Sequence, residues 1–205
     1  MTATYQYLTL TLAPRRSNWQ GFADHVHGQG AAAIGAAGGE LVGLFSPQLG
    51  FASNEAVVLF RSAGSETSAV AAITAATEVI SHHADVLTPT LRPREGQVTR
   101  AGGIYVHRWF VVDGDRVGDF VDLSGRAWTN FEGAYDTEIF GLFTAAPTPE
   151  DVALGQGRLL LLTWYASHGV WEASREQTVD PDGLFVRRHR LTRSTIGRSS
   201  LLVAR

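Results

Sequence analysis

The first half of the chain alternates between hydrophobic and polar residues over positions 5–12, where leucines at 8, 10 and 12 are separated by threonines. A period of two residues predicts a β-strand. The next segment changes to a helical period, with large apolar residues at 19, 22 and 26. The elements predicted for this half are, in order, strand Tyr5–Leu12, helix Arg15–Ala37, strands Glu40–Phe45 and Ala56–Phe60, a helix capped by Ser65 and strand Val86–Leu91.

The second half shows the same change of period in the same order. Strand Ile104–Val112 begins it, and Asp115 is placed to cap a long helix over 116–136. The elements predicted after that helix are strands Glu138–Phe143 and Leu159–Tyr165, a helix capped by Ser167, a turn at Asp180–Gly183 and strand Leu184–Leu191.

One stretch of sequence occurs twice. Glu40–Phe45 (ELVGLF) is similar in sequence to Glu138–Phe143 (EIFGLF), 98 residues later. At the same offset, Phe22–Asp24 is similar to Phe120–Asp122. Each half then has the order β-α-β-β-α-β, which is the ferredoxin-like arrangement, with helices on one face of an antiparallel sheet. We predict an α+β protein of two tandem ferredoxin-like repeats, residues 1–95 and 96–205, whose open sheet faces pack into an intramolecular α+β barrel.

The composition narrows the available chemistry. The 205 residues are 44% hydrophobic and 18% charged, with a net charge of −3; they include no cysteine, and all 17 residues in the Lys+Arg count are arginine. Without cysteine there are no disulfides, thiolate nucleophiles, Cys-ligated zinc ions or iron–sulfur clusters. Without lysine there is no Schiff-base or pyridoxal phosphate chemistry and no Walker A loop. We therefore expect no cofactor. The histidine pairs at 25/27 and 82/83 point in different directions on a helix and a strand, so we also expect no resident metal ion.

Neither a membrane nor a nucleic acid is expected as a partner. The first residues lack a positive start followed by an apolar core, and no apolar run approaches the roughly 18 residues of a spanning helix, so we expect a cytoplasmic protein. The net negative charge and the missing aromatic signature argue against RNA. Residues 187–198 nevertheless contain five arginines: Arg187, Arg188, Arg190, Arg193 and Arg198. Solvated arginines are one interpretation, and an inward arginine that binds a substrate carboxylate is the other.

The second half of the chain resembles the NIPSNAP family. The resemblance lies in Glu138–Phe143, in Leu160–Ser167 (LLLTWYAS) and in Trp171–Arg175 (WEASR), and it extends over roughly 103–193. It is weaker in the first half, since Ala56–Phe60 lacks the Trp–Tyr pair after the strand. Membership implies the dimeric α+β barrel superfamily, often with two tandem units, and no established shared reaction. The wider superfamily includes cofactor-independent monooxygenases, haem-degrading enzymes, isomerases and plain binding proteins.

The two long predicted helices differ in bulk. Gly30 and Ala33 of the first helix correspond, at the repeat shift, to aromatic residues of the second. Small side chains can leave a void between a helix and its sheet, so we predict the larger pocket beneath helix 15–37. Tyr5 and Tyr7 of the first strand would line it through stacking and hydrogen bonds. Closer packing of this helix against its sheet is the alternative.

His107 is the best-placed candidate for a general base. It shares a strand face with Tyr105 and Trp109, and Arg108 lies on the opposite face. A histidine with a pKa near neutrality can exchange protons or contact haem, whereas a structurally bonded histidine is the alternative. The predicted catalytic residues are Tyr7, His107 and Trp109, and the predicted ligand-binding residues are Tyr5, Gly30, Ala33, Arg108, Trp164 and His189.

Three functions stay open at this point. The first is a NIPSNAP-like protein that binds a small apolar or aromatic molecule, with cofactor-independent, monooxygenase-like chemistry as an extension. The second is a non-catalytic scaffold whose fold serves oligomerisation, so that its partner is a second copy of the chain. The third is haem binding or haem degradation. Enzymatic activity, ligand identity and oligomeric state are left undecided by the sequence.

Overall fold

The computed structural model describes residues 4–14, 16–62, 67–176, 180 and 182–204. The chain divides into two compact units: unit 1 comprises Met1–Thr88 with Ser200–Arg205, and unit 2 comprises Pro89–Ser199. The boundary predicted at 95/96 therefore falls within unit 2. Among the helices of the described residues, none is long and apolar enough to cross a membrane.

Unit 1 has the predicted order of strands and helices. Its elements are β1 (Thr4–Leu12), α1 (Arg16–His25), α2 (Ala31–Ala36), β2 (Glu40–Leu49), β3 (Glu55–Ser62), α3 (Thr67–Thr74) and β4 (Val79–Pro89). These strands are antiparallel and lie in the order β4-β1-β3-β2. The expected cap Ser65 lies outside the described residues.

The leucine-rich face of β1 packs beneath the helices of unit 1, as the alternation predicts. Leu8 and Leu10 are fully buried in one core with side chains of α1, α2 and α3. The long predicted helix has a π-helical stretch, Val26–Gly30, between α1 and α2. Because side chains alternate along a strand, burial of the leucine face leaves Tyr5 and Tyr7 on the opposite, helix-free face.

Unit 2 also follows the predicted order, with additional helices. Its elements are β5 (Ile104–Asp113), α4 (Val117–Ala134), β6 (Thr137–Ala145), α5 (Pro149–Leu154), β7 (Gln156–Tyr165), α6 (His168–Ala173), α7 (Leu184–Arg190) and β8 (Thr192–Leu202). The strands lie in the order β8-β5-β7-β6, and β7 is antiparallel to both β5 and β6. An apolar core that includes Phe110, Phe120 and Trp128 lies between this sheet and α4.

The motif that occurs twice in the sequence has the same local structure in both units. The register with the neighbouring strand shifts just before Gly43 in β2 and just before Gly141 in β6. In each bulge, the phenylalanine two residues later covers the glycine. A methyl group added at Gly43 would lie 2.8 Å from Cζ of Phe45, and one added at Gly141 would lie 2.7 Å from Cζ of Phe143. Each bulge therefore needs a residue without a side chain.

The strand predicted over Leu184–Leu191 is wrong, because this segment forms helix α7. The carboxylate of Asp180 accepts hydrogen bonds from the first backbone N–H groups of the segment, which is how a helix N-terminus is stabilised. Four basic residues occupy the last turn of α7, where they complement the negative end of the helix dipole. The last strand, β8, follows the helix.

Two side-chain caps, Ser167 and Asp115, were predicted for the other helices of unit 2, and the structure confirms one of them. Ser167 caps α6 as predicted, since its Oγ accepts a hydrogen bond of 3.2 Å from the N–H three residues later. Asp115 does not cap α4: it lies in a 3-10 turn, Gly114–Arg116, and α4 begins without a side-chain cap. Helix α5, which was not predicted, begins with a capping box formed by Thr148 and Asp151.

Candidate ligand-binding site

Strand β5 has one face toward the helices of unit 2, and Arg108 lies on that face. Phe110 and Val112 belong to the helix-covered core, and alternation along the strand places Arg108 beside them. The side chain is half-buried. Burial lowers the pKa of its guanidinium, and the nearby charge of Arg175 acts in the same direction. Within the described part of the chain, no acceptor bonds the Arg108 guanidinium.

A second guanidinium reaches the same region from α7. Burial, followed by the charge of Arg108, lowers the pKa of Arg188 to about 10, so the two cations are close enough to repel each other. Nη1 of Arg188 donates one long hydrogen bond, 3.5 Å, to Oγ of Ser124. Its guanidinium carbon lies near the centres of three rings, at 5.3 Å from Phe110, 5.5 Å from Phe120 and 5.0 Å from Phe185. These distances allow cation–π attraction.

Asp180 fixes the start of the helix that carries Arg188. Its carboxylate accepts hydrogen bonds from the backbone N–H groups of Leu184 at 2.6 Å, Phe185 at 2.8 Å and Val186 at 3.4 Å. These bonds satisfy donors that the first turn of a helix leaves free. The charge of Asp180 also acts on Arg188, but no ion pair between the two side chains occurs in the described structure.

The side chains of Arg108 and of Trp171 on α6 both lie next to Gly197 of β8. A methyl group added at Gly197 would lie 3.4 Å from Nη2 of Arg108 and 3.6 Å from Cζ2 of Trp171. The indole N–H of Trp171 is buried, and none of the described residues offers it a hydrogen-bond acceptor. Trp171 therefore has an unused buried donor in the neighbourhood of Arg108.

Three hydroxyl groups lie close to the two arginines. Ser124 Oγ donates to a carbonyl oxygen of its own helix at 2.7 Å, and Ser174 Oγ donates to the carbonyl oxygen three residues earlier, also at 2.7 Å. Burial raises the pKa of the Tyr165 phenol, although Ser174 and the nearby guanidiniums act in the opposite direction. The phenol thus stays neutral at physiological pH, and the protons of both serines are already used.

These side chains form a cluster with many donors and few acceptors. Two other half-buried arginines of unit 2 have carboxylate partners: Arg92 contacts Glu132 at 2.6 Å, and Arg158 contacts Asp151 at 2.9 Å. The cluster differs because none of its arginines has a carboxylate partner in the described structure. We call it the arginine cluster, and its members are Arg108, Tyr165, Trp171, Ser174, Arg175 and Arg188.

His107 and Trp109 lie on the other face of β5, away from the helices of unit 2. His107 is fully buried, and burial, followed by the charge of Arg198, lowers its pKa to about 3. A base with this pKa accepts a proton weakly at neutral pH, unlike the near-neutral histidine expected from the sequence. Trp109 is half-buried, and the guanidinium of Arg158 lies 5.6 Å from its ring centre.

Trp164 is held by contacts within unit 2. Its indole N–H donates to the carbonyl oxygen of Gly102 at 2.7 Å, and the Arg100 guanidinium lies 3.7 Å from its ring centre. It pairs with Tyr105 across β5 and β7, and therefore lies on the face opposite to Arg108. The structure thus separates two residues that were both predicted to bind the ligand.

The cavity predicted beneath the first helix is filled at Gly30. Gly30 is buried, and a methyl group added there would lie 3.3 Å from Cγ1 of Ile73 on α3. The glycine allows α3 to pack closely, so the void expected at this position is wrong. Ala33 is half-buried. Tyr5 and Tyr7 are buried on the helix-free face of β1, and therefore do not line the space beneath the helix as predicted.

His189 was expected on a strand face together with Arg187, but it lies exposed on α7. Since α7 is a helix, Arg188 and not His189 shares the buried side with Leu184, which lies four residues earlier. Across the described ranges, no three His, Asp or Glu side chains come together as a group that could hold a metal ion.

Sequence reasoning identified Arg108 but missed the residues that gather around it. Trp171 and Tyr165 come from segments that the sequence read only as apolar patterns. No local signal pairs them with Arg108, because tertiary structure brings them together. For Arg188 a signal existed: Asp180 as a cap, followed by Leu184 and Arg188 at a spacing of four, predicts a helix with Arg188 on its inner side.

Similarity to other proteins is visible in structure alone. No family model matches the chain, and no curated protein matches it. A candidate monooxygenase from Fusobacterium nucleatum is similar with a TM-score of 0.63 and 8% identity, over 99% of this chain and 93% of that one. A candidate monooxygenase from Lactobacillus acidophilus has a TM-score of 0.57 and 13% identity, over 98% and 94% of the two chains. A haem-binding protein from Thermus thermophilus has a TM-score of 0.58 and 10% identity, over 100% and 92%.

At such low identities the likeness shows the fold alone. The elements of the two units themselves confirm the α+β class and the predicted order of strands and helices. The finer assignment to the NIPSNAP family stays a prediction.

Proposed function

We propose that this chain binds a small molecule at the arginine cluster, on the helix-covered face of unit 2. The observation that carries the proposal is the indole N–H of Trp171, which is buried and has no acceptor among the described residues; the Trp171 ring lies next to Gly197 together with the Arg108 guanidinium. A buried donor without an acceptor costs free energy, so a ligand that supplies an acceptor is stabilised there. The half-buried rings of Phe185 and Trp171 suit an apolar or aromatic body.

Proteins of similar fold support this proposal. Two of the solved structures are candidate monooxygenases, and one binds haem. Monooxygenase-like chemistry without a cofactor is the extension that we propose for this chain, with Tyr7, His107 and Trp109 as its predicted catalytic residues. Because His107 and Trp109 lie on the face of β5 opposite to Arg108, this chemistry would take place away from the arginine cluster. Alanine at each of these three positions tests the extension: if ligand affinity and turnover stay unchanged, these assignments are wrong.

Haem is a second candidate, because it joins a flat ring system to carboxylates that arginines bind well. The described histidines of unit 2 do not fit an axial ligand beside the arginine cluster. His107 lies on the opposite sheet face, Nε2 of His168 contacts Oγ of Ser199 at 3.1 Å, and His189 is exposed. Titration with haem, followed by absorption, decides: a Soret shift supports this candidate, and an unchanged spectrum removes it.

The remaining predictions concern organisation. The matching bulges at Gly43 and Gly141 support a tandem duplication, and we propose this together with NIPSNAP membership, the barrel arrangement and a cytoplasmic location. The scaffold alternative, with a second copy of the chain as partner, is tested by size-exclusion chromatography with light scattering. A stable oligomer that binds no small molecule would favour the scaffold.

A thermal-shift screen of small aromatic and apolar compounds, with hits confirmed by calorimetry, tests the proposed function. Trp171→Phe removes the unused N–H but keeps an aromatic ring, and we expect it to weaken the hits several-fold. Trp128→Phe is the matched control, since that indole N–H is also buried and lacks an acceptor among the described residues but lies near Arg92. An absence of hits, or equal effects of both variants, would contradict the proposal.

A further inference from the structure

We propose a second chemical site in this protein, in which His83 and Asp85 of β4 remove a proton from a small neutral molecule. Nε2 of His83 lies 3.3 Å from Oδ2 of Asp85. The two residues are two positions apart on a strand, so their side chains lie on the same face. Both belong to unit 1, and the site is independent of the arginine cluster.

The pair lies on the helix-free face of unit 1. In the antiparallel pairing of β4 with β1, Thr9 is opposite His83 and Tyr7 is opposite Asp85. Residues that pair directly across two strands share a face, and Tyr7 lies on the face of β1 that points away from the helices. Tyr7 is itself buried, so Asp85 lies at the inner end of the pair.

The two members of the pair differ in their access to water. The side chain of His83 is 66% exposed, whereas that of Asp85 is only 7% exposed. Burial of a carboxylate costs free energy, and a mostly exposed partner offsets little of that cost. Among the described residues of unit 1, Asp85 is the one buried residue with a charged side chain. A group that lowers stability in this way is typical of a functional site.

The contact with Asp85 determines which ring nitrogen of His83 acts as the base. A carboxylate only accepts hydrogen bonds, so in the neutral imidazole Nε2 carries the proton that points to Asp85. The lone pair is then on Nδ1, in a side chain that is mostly exposed. Nδ1 takes a proton from the bound molecule, and the imidazolium that forms stays beside the carboxylate. Water removes the proton afterwards, and the pair returns to its first state.

The neighbours of His83 on this face favour a neutral substrate. Thr9 is half-buried, and Ser81, two residues before His83 on the same strand face, is exposed. Their hydroxyl groups can hydrogen-bond a carbonyl or hydroxyl oxygen, and neither supplies a charge that would bind an ionic group. The substrate class is therefore a small neutral compound with an acidic C–H or O–H group, such as an enolisable ketone or a phenol.

The probe 5-nitrobenzisoxazole tests this proposal, because its reaction reports the removal of a proton directly. A base takes the proton from C3, the electron pair of that C–H bond forms the C≡N bond of a nitrile, and the ring N–O bond breaks to release a coloured phenolate. Absorbance follows the reaction at pH 8, where an ordinary imidazole is neutral. Since the chain has no lysine, no lysine side chain competes as a base.

The two adjacent histidines provide a matched pair of variants. His83→Gln should lower the protein-dependent rate constant about tenfold or more. His82→Gln is the control, because His82 is also exposed but lies opposite Leu10, on the other face of β4, and contacts no carboxylate in the described structure. It should change the rate constant by less than about twofold.

Asp85→Asn tests the role of the carboxylate as a positioning residue. An amide donates hydrogen bonds as well as accepting them, so this variant allows the imidazole its other tautomer. We expect kcat to fall about fivefold while KM stays unchanged, because Asp85 acts on the base and not on the probe. A purely structural role of Asp85 would leave kcat unchanged in a folded variant.

Melting curves check that each variant is folded. A wild type without a protein-dependent rate, or equal effects of His83→Gln and His82→Gln, would overturn the proposal. An unchanged kcat in Asp85→Asn would overturn the pair and leave His83 acting alone. If Asp85→Asn does not fold, the comparison of the two exposed histidines decides. None of these outcomes affects the proposed function, since the arginine cluster lies in unit 2.

Discussion

Oδ1 of Asp180 accepts a hydrogen bond of 2.6 Å from the backbone N–H of Leu184, the first residue of the helix that carries Arg188. This contact joins helix formation to the candidate site. The same carboxylate stabilises the start of α7, in which Arg188 lies on the buried side together with Leu184. Stability and ligand binding should therefore change together when Asp180 is altered.

Asp180→Ala removes the cap of α7 and should lower the free energy of unfolding by about 1 kcal/mol, as loss of an N-cap typically does. It should also weaken ligand binding at the arginine cluster, because α7 positions Arg188. Denaturant unfolding and calorimetry measure the two effects. Asp182→Ala is the control, since Asp182 is exposed in the same turn. If both variants behave like the wild type, the coupling between cap and site is wrong.

Gly197 offers a way to block the site without changing a charge. Gly197→Ala adds a methyl group at ordinary contact distance from Arg108 and Trp171, so we expect binding to be kept within about twofold. Gly197→Leu should abolish binding, because a methyl group at this position already lies 3.4 Å from Nη2 of Arg108 and 3.6 Å from Cζ2 of Trp171, so the larger side chain has to displace both. Calorimetry with a hit of the thermal-shift screen, together with a melting curve that checks folding, tests this pair. Full binding by Gly197→Leu would place the ligand elsewhere.

The bulge in β6 should tolerate no side chain at Gly141. Gly141→Ala places a methyl group against the ring of Phe143 and 3.0 Å from Cδ of Pro93, and overpacking of this kind costs about 1–3 kcal/mol. Gly133→Ala, in an exposed part of α4 with open space around it, should instead stabilise the protein by about 0.5–1 kcal/mol. Relative to the wild type, the denaturant midpoint should fall for Gly141→Ala and rise for Gly133→Ala. A shift of both midpoints in the same direction would contradict this prediction.

His107 makes the stability depend on pH. Its pKa is lowered to about 3 in the folded protein and is about 6.5 in the unfolded chain, so between these values the unfolded chain binds more protons. Stability therefore rises with pH through this window and is fully present above about pH 6.5.

Unfolding by denaturant at pH 5 and pH 7 should give a free-energy difference of about 2 kcal/mol, which His107→Gln should remove. An imidazole of His107 that titrates near pH 6.5 in the folded protein, as followed by NMR, would contradict this prediction. The histidine would then be free to act as the near-neutral base that the sequence suggests.

Much of the fold follows from local patterns in the sequence. The alternation at Leu8 and Leu10 and the repeated Gly43 and Gly141 motifs determine strands and bulges through contacts close in sequence. Helix α7 escaped prediction because eight residues that mix apolar and basic side chains fit both periods. The cap supplied by Asp180 and the packing of Leu184 against α4 favour the helix.

The candidate site could be predicted in part only. Arg108 was identified because strand alternation sets it opposite to His107. The partners Trp171 and Arg188 come from two separate helices. Their distance from Arg108 depends on tertiary packing, which the hydrophobic periodicity of a single segment cannot predict. The expected pocket at Gly30 failed for a related reason: a small residue indicates either a void or a close neighbour, and here the neighbour is Ile73.

The most direct measurement is a crystal structure of the protein with a brominated analogue of an aromatic hit from the thermal-shift screen, located by the anomalous signal of bromine. The account predicts that the compound lies next to Gly197, with an acceptor within hydrogen-bond distance of the Trp171 N–H. A bromine peak elsewhere in the molecule, or none at concentrations that saturate binding in calorimetry, would contradict the assignment of the arginine cluster as the ligand site.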